Sequence, residues 1–159
     1  ANAVAQGTVV VVAAGNAYWE FTDDPNTWDS PVCNDGPFFT DNYVLGVAAT
    51  DDRDVKADFS NYSSAMRNFI DVAAPGVDIL STYLYDPLVG FTEPYGLMSG
   101  TSMACPVVVG VAAMVKARFR GANAADVIQQ IRLSADNIDA QNPLYVGKSG
   151  PAASTWAMH

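Results

Sequence analysis

Apolar residues along the chain fall into two kinds of run, which predict strands and helices. Residues 8–14 and 43–49 are nearly unbroken stretches of valine, alanine and leucine, a pattern typical of parallel strands that are buried on both faces. Residues 107–119 instead carry apolar side chains at helical spacing, at positions Val108, Val111, Ala112, Val115 and Phe119. We therefore expect a parallel sheet that is covered by helices.

Two further helices are indicated by the residues at their ends. Residues 1–7 predict the end of a helix closed by Gly7, and because this helix has no N-cap we expect further sequence upstream. Asn123 is the expected N-cap of a helix over residues 124–133. Gly121 is the expected stop of the helix before it.

Short strands and turns are predicted between these elements. Pro75-Gly76 marks a turn between two short strands within residues 69–82. Residues 83–98 predict a hairpin. The triplet Asn61-Tyr62-Ser63 fits the N-glycosylation pattern, which is too frequent to carry a prediction.

Residues 17–42 form a long polar stretch with six aromatic residues, and loops of this length are usually functional or mobile. We favour packing onto the body of the domain over a substrate-binding wall for most of these rings, at Tyr18, Trp19, Phe21, Trp28, Phe38 and Phe39. Three carboxylates of the loop are candidate Ca²⁺ ligands, with a solvated acidic loop as the favoured interpretation, at Asp23, Asp24 and Asp29.

The stretch from Ser99 to Pro106 places a hydroxyl at a predicted helix start. Thr101 is the expected N-cap, Pro106 is expected near the first turn, and Ser102 is then at or beside the N-terminus. Free N–H groups at a helix N-terminus favour negative charge nearby. A nucleophile whose attack creates an oxyanion is favoured by that setting.

A second polar residue, Asn16, follows the first predicted strand directly. Sites in parallel sheets form at the carboxyl ends of strands, so Asn16 is well placed for chemistry. Asparagine is also a common turn residue after a strand, and that structural role is the alternative.

Together these two blocks, Ser99 to Pro106 and Ala13-Ala14-Gly15-Asn16, resemble the nucleophile and oxyanion blocks of the subtilisin-like serine proteases, the subtilases. The resemblance implies a three-layer α/β fold, with a mostly parallel sheet flanked by helices, present here only as its C-terminal portion. It implies that residues 1–142 are part of a catalytic domain and that residues 143–159 are a poorly matching tail.

The resemblance also implies roles for single residues. Ser102 would be the nucleophile and Asn16 a donor to the oxyanion. The residues implied to bind substrate are Ala13, Ala14, Gly15 and Thr101. The substrate would be a protein or peptide, and the location extracellular.

The chain departs from the family pattern where a general base is needed. A triad requires a histidine and an orienting carboxylate, and neither the Asp block nor the His block of the family is present. The only histidine is the last residue, His159, and Val107 stands where the family usually has a histidine outside the triad. We expect the chain to be inactive alone and to need the missing N-terminal half of the catalytic domain as partner, either from the same precursor or as a second chain.

Composition narrows the choice of partners. Eight basic and 17 acidic residues give a net charge of −9, which argues against nucleic acid and anionic membranes. No apolar run is expected to reach the length of a membrane span, and we see no signal peptide in this sequence. No Cys/His spacing indicates a metal site, and no cofactor is identified.

The sequence does not decide whether its two cysteines form a disulfide. We favour two thiols, with Cys105 buried at the helix start and Cys33 in a loop.

Two alternatives remain open at this stage. An α/β-hydrolase would use Ser102, Asp126 or Asp136, and His159 in that order, but the nucleophile motif lacks its final glycine. A non-catalytic remnant serving as a binding or scaffold module would explain the absent base.

Overall fold

The computed structural model describes residues 2–34, 44–64, 69–90 and 92–146 of the chain. Predictions that concern Phe38, Phe39, His159 and residues 147–159 in general lie outside these ranges. In the described part, the strands are β1 (Val11–Ala13), β2 (Glu20–Phe21), β3 (Leu45–Thr50), β4 (Tyr62–Ser63), β5 (Val72–Pro75), β6 (Ile79–Thr82) and β7 (Tyr95–Met98), and the helices are α1 (Asn2–Ala5), α2 (Thr101–Arg118) and α3 (Ala124–Ser134).

A parallel sheet lies at the centre of the described residues, with strand order β1-β3-β5. All six residues of β3 are buried, as the apolar run 43–49 predicts. The prediction for residues 8–14 is only partly correct, because β1 has three residues and all are half-buried. β1 is the edge of this three-stranded sheet, and an apolar run alone does not distinguish an edge strand from a central one.

The two faces of the sheet are covered differently. One face packs against α2 and α3 in a core that includes Leu45, Val47, Val72, Val108 and Ile131. The other face packs against β2 and irregular segments, in a second core that includes Ala48, Ala73, Phe21, Phe69 and Ile138. The α/β class that the sequence predicts is therefore confirmed.

The start of α2 differs from the prediction in two respects. The N-cap is Gly100, and Thr101 is the first helical residue, with its hydroxyl engaged outside the helix. Pro106 lies inside α2 rather than in its first turn. Since proline has no N–H, the Ser102 carbonyl receives no helical hydrogen bond from residue 106.

The C-terminal end of α2 also differs. The helix ends at Arg118 with Phe119 as C-cap, and the Phe119 side chain is 49% exposed. Gly121 lies beyond the cap and is not among the described glycines with positive φ, so it is not the predicted left-handed stop. For α3 the prediction is confirmed: Asn123 and Asp126 form a reciprocal capping box.

Helix α2 is long and apolar enough to cross a membrane, with 18 residues and a mean hydropathy of 1.3. The expectation that no segment reaches this length is thus wrong by the criteria of length and composition. A single such helix is weak evidence for a membrane span, because the core helix of a soluble protein passes the same test. In this fold Ala104, Val108 and Ala112 of the helix pack on the sheet.

The two cysteines do not form a disulfide with each other, and Cys33 lies in a turn, as predicted. The prediction that Cys105 is buried is wrong. Cys33 is buried, and Cys105 is only half-buried. Within the described ranges no group of three His, Cys, Asp or Glu residues is arranged to hold a metal ion. The candidate Ca²⁺ ligand Asp24 instead caps the short 3₁₀ helix Pro25–Thr27.

Candidate active site

The turn after β1 and the start of α2 meet through the side chain of Asn16. Its Oδ1 accepts hydrogen bonds from the Thr101 backbone N–H and from the Thr101 hydroxyl, each at 2.9 Å. The Thr101 hydroxyl in turn accepts from the Gly15 N–H at 3.0 Å. Because a backbone N–H can only donate, the Asn16 carboxamide must present its oxygen to Thr101 and its Nδ2 to the other side.

The Nδ2 of Asn16 and the backbone nitrogen of Ser102 both lie close to Gly100. A Cβ built on Gly100 would lie 3.2 Å from Asn16 Nδ2 and 3.8 Å from the Ser102 nitrogen. Both donors are therefore within 4 Å of one point beside the start of α2. Neither has a hydrogen-bond partner in the part of the chain that the structure describes.

The other amides of the first turn of α2 are satisfied. Thr101 N–H donates to Asn16, and the N–H groups of Met103 and Ala104 donate to the Gly100 carbonyl at 3.0 and 3.3 Å. The Ser102 N–H has no acceptor in the described ranges, and the Ser102 side chain is exposed. An exposed hydroxyl, a free amide and the positive end of an 18-residue helix thus coincide at Ser102.

Two glycines hold this helix start against the sheet. Gly100 N–H donates to the Gly76 carbonyl at 2.8 Å. A Cβ on Gly76 would lie 2.8 Å from the Gly100 oxygen and 2.7 Å from the Ala49 Cβ. The close approach that positions Ser102 over β3 and β5 therefore requires glycine at position 76.

No general base is present beside the hydroxyl in the described ranges. The only histidine of the sequence is His159, outside those ranges. Without a base the Ser102 hydroxyl keeps the weak nucleophilicity of an ordinary alcohol. In the described ranges, hydrogen-bond donors therefore lie beside Ser102, and no side chain makes a hydrogen bond to its hydroxyl.

The residues expected to bind substrate divide into two groups. The side chains of Ala14 and Thr101 are each 1% exposed, and contact of these two residues with substrate stays a prediction. The Thr101 hydroxyl is hydrogen-bonded to Asn16 and Gly15. For Ala13 and Gly15, which are half-buried, contact with substrate stays a prediction.

Two buried polar residues near the site were not recognised in the sequence. Asn61 makes several hydrogen bonds to the turn that carries Asn16. Its only sequence signal was the glycosylation triplet, but the side chain is 3% exposed and its Nδ2 donates to the Ala14 carbonyl. Folding therefore removes it from access to a glycosylating enzyme.

The second residue is Lys56, whose ammonium group is enclosed by aromatic rings. Its Nζ donates to the carbonyls of Ala57 and Ser60, each at 2.8 Å. The centres of three tyrosine rings lie 4.9 to 5.4 Å away, those of Tyr18, Tyr62 and Tyr145. Burial lowers the pKa of Lys56 to about 8, although the nearby Asp58 acts in the opposite direction.

Sequence comparison identifies the family of this chain and several relatives. The subtilase family model (Peptidase S8) matches residues 1–149. The chain is 38% identical over 133 residues to a thermophilic serine proteinase of Bacillus sp. strain AK1, covering 84% of this chain and 27% of that protein. It is 39% identical over 133 residues to thermitase of Thermoactinomyces vulgaris, covering 84% of this chain and 38% of thermitase.

Solved structures agree with the sequence comparison. A protease from Pseudoalteromonas arctica superposes with a TM-score of 0.68 at 29% identity, covering 98% of this chain and 42% of that one. A cold-adapted subtilisin-like serine proteinase gives a TM-score of 0.64 at 28% identity, covering 86% of this chain and 42% of that one. The chain thus spans less than half the length of these relatives. By the family model and by its curated relatives, the chain belongs to the subtilase family.

Proposed function

We propose that this chain is part of a serine endopeptidase in which Ser102 is the nucleophile and Asn16 a donor of the oxyanion hole. The observation that carries the proposal is the pair of donors without a partner in the described ranges, Asn16 Nδ2 and Ser102 N–H, both within 4 Å of one point beside Gly100. A peptide carbonyl oxygen placed between them would accept from both. The exposed Ser102 hydroxyl then lies beside the carbonyl carbon.

The reaction follows from this placement. The Ser102 Oγ forms a bond to the scissile carbonyl carbon, its proton passes to a base, and the carbonyl oxygen becomes an oxyanion. Collapse of that intermediate breaks the C–N bond, the amine leaves with a proton from the same base, and an ester on Ser102 remains. Water then releases the acid by the same steps. In subtilisin, loss of the asparagine donor costs about 10²–10³ in turnover.

The base and its carboxylate partner come, in this proposal, from an N-terminal half of the catalytic domain that carries the Asp and His blocks. The outer surface of α2 supports the need for such a half. Val107 and Met114, two turns apart on one flank of the helix, are 38% and 65% exposed there, although apolar side chains of a core helix are usually covered. A half-domain packed on this surface would bury them.

The substrate class and location follow from the family. Curated relatives are named as extracellular proteases, from Dichelobacter nodosus and from Xanthomonas campestris. We propose that the protein of which this chain is part acts on protein or peptide substrates outside the cell.

A fusion protein tests the proposal. The segment of thermitase that precedes its region of similarity to this chain, with the family's Asp and His blocks, would be joined to residues 1–159. The chain alone, the fusion and the fusion with Ser102→Ala would be assayed on casein and treated with a fluorophosphonate probe. We expect labelling and hydrolysis only in the fusion with Ser102 intact.

Two outcomes contradict the proposal. Hydrolysis by the isolated chain that Ser102→Ala abolishes would contradict the need for a second half. A fusion that is folded by circular dichroism and yet takes up no probe would favour the alternative of a non-catalytic remnant.

A further inference from the structure

Asn61 is a buried residue that forms hydrogen bonds to the backbone on both sides of Asn16. It forms none to Asn16 itself. Its backbone N–H donates to the Gly15 carbonyl at 2.9 Å, and its Nδ2 donates to the Ala14 carbonyl at 3.0 Å. Its Oδ1 accepts from the N–H groups of Ala17 and Trp19, each at 2.9 Å. One side chain therefore fixes the backbone on both sides of position 16.

Gly15 and Asn61 are sterically matched. The Gly15 φ of +99° is in the region that favours glycine. A Cβ at that position would also lie 2.5 Å from Asn61 Nδ2. The turn adopts its sharp path because Gly15 lets the Asn61 carboxamide approach the chain closely.

Asn61 is itself held rigidly by its neighbours. The hydroxyl of Ser60 accepts from the Ala49 N–H of the central strand β3 at 3.0 Å, and it donates to the Asn61 carbonyl at 3.1 Å. The Lys56 ammonium group donates to the Ser60 carbonyl at 2.8 Å. Asn61 is thus connected through Ser60 to β3, the most buried strand of the sheet.

Thr101 and Asn61 hold the turn at different groups, and they meet only at Gly15, whose N–H donates to Thr101 and whose carbonyl accepts from Asn61. Thr101 fixes the orientation of the Asn16 side chain, whereas Asn61 fixes the backbone from which that side chain projects. A donor to an oxyanion must be in place before charge develops, because reorganisation during the reaction costs rate. Displacement of a reacting or stabilising group by about 1 Å costs roughly 10²-fold.

We propose that Asn61 is a positioning residue for the oxyanion donor, acting on catalysis only through Asn16. This inference rests on the proposed function, since it requires Asn16 to be that donor. Asn61 contacts no substrate in this proposal. Its effect is to keep Nδ2 of Asn16 beside the Ser102 amide in the free enzyme.

The activity test is a double-mutant cycle in the thermitase fusion, with Asn16→Leu, Asn61→Leu and the double variant. We expect Asn61→Leu to lower kcat by about ten- to 100-fold with little change in KM, because a misplaced donor affects the transition state more than substrate binding. If Asn61 acts through Asn16, the double variant is no slower than Asn16→Leu alone. Losses that multiply in the double variant overturn the inference.

Asn142→Leu is the matched control. Asn142 is also a buried asparagine with three side-chain hydrogen bonds to the backbone, at Lys56, Asp54 and Ile138. None of these bonds reaches the turn at Asn16. We expect Asn142→Leu to lower stability while leaving kcat of the folded fraction within about twofold; a kcat loss equal to that of Asn61→Leu overturns the inference.

A second variant and a second measurement cover the case in which Asn61→Leu does not fold. Asn61→Asp keeps an oxygen for the N–H groups of Ala17 and Trp19 but loses the donor to Ala14, so we expect a smaller loss of kcat. In the 159-residue chain itself, ¹⁵N NMR should show the Asn16 side-chain amide signals shifted in the Asn61 variants and unchanged in Asn142→Leu. Unchanged Asn16 signals in the Asn61 variants overturn the inference.

The same experiment separates the two proposals. If Asn16→Leu leaves kcat unchanged, the assignment of the oxyanion donor fails. If Asn16→Leu is slow and Asn61→Leu is not, only the positioning role of Asn61 fails.

Discussion

Asn16 and Thr101, 85 positions apart in the sequence, are joined by two hydrogen bonds to one carboxamide oxygen, each 2.9 Å long. This contact brings the end of β1 to the start of α2. It also decides the direction of the Asn16 Nδ2, which is left free beside Ser102. The geometry of the proposed oxyanion hole thus depends on a residue that takes no part in the reaction.

Thr101→Val tests this dependence on the hydroxyl of Thr101. Valine keeps the β-branched shape, but Asn16 loses one donor and the Gly15 N–H loses its acceptor. An unsatisfied buried donor costs about 1–3 kcal/mol, so we expect the free energy of unfolding to fall by that amount. Urea denaturation of the chain measures it. Thr101→Ser keeps the hydroxyl and should lose much less, and equal losses in both variants would refute the role of the hydroxyl.

Gly76→Ala tests the close approach between the sheet and the nucleophile segment. The added methyl group would lie 2.7 Å from the Ala49 Cβ and 2.8 Å from the Gly100 oxygen. Overpacking of this kind costs typically about 1–3 kcal/mol, and it should displace the start of α2. Thermal unfolding and the NMR signals of Gly100 and Ser102 measure the two effects.

Gly110→Ala is the matched control for Gly76→Ala. Gly110 lies in the middle of α2, and a Cβ there meets nothing within 4 Å. Alanine in a helix interior is more favourable than glycine by roughly 0.5–1 kcal/mol, so this variant should be more stable than the parent. If Gly76→Ala is also stabilising, the packing account of this contact is wrong.

Lys56 should make stability depend on pH in the alkaline range. The pKa of Lys56 is about 8 in the folded chain and 10.5 in its ordinary environment. Between these values the unfolded chain binds more protons, so the free energy of unfolding should rise as pH increases from about 8 towards 10. Below pH 8 both states are charged and this contribution is flat. The groups facing the ammonium are Asp58 and the phenols of Tyr18, Tyr62 and Tyr145.

Urea titrations at several pH values between 7 and 9.5 check this dependence. Lys56→Met should remove the rise, because the titrating group is gone. Lys116→Met, at a half-buried lysine on α2, should keep it. Burial raises the pKa of Tyr145, which therefore stays protonated throughout this window. A flat wild-type curve, or a rise that survives in Lys56→Met, would contradict the assignment.

Local patterns predicted the elements and the position of the site, and long-range contacts account for most of what they missed. The run 43–49 became the fully buried β3 because a central strand needs apolar residues on both faces. The run 8–14 looked the same but became the half-buried edge strand β1. The burial of a strand depends on the segments that cover it, which a single run does not encode, since β5 at the other edge of the sheet is buried at three of its four positions.

Thr101 and Asn61 illustrate the same point for polar residues. Thr101 has the local signature of an N-cap, but Gly100 is the N-cap of α2. The Thr101 hydroxyl instead forms hydrogen bonds with Gly15 and Asn16, which are more than 80 positions away in the sequence. Asn61 contacts Ala17 across 44 positions and Ala14 across 47. Ser102 and Asn16 were recognised because their neighbours form motifs, whereas the residues that orient them have no motif of their own.

The most direct measurement of the central claim is kcat for a peptide substrate in the thermitase fusion with and without Asn16→Leu, both checked for folding by circular dichroism. If Asn16 Nδ2 and the Ser102 N–H hold the oxyanion together, kcat should fall by about 10²–10³ while KM changes little. A folded Asn16→Leu fusion that turns over substrate at the parental rate would contradict the account.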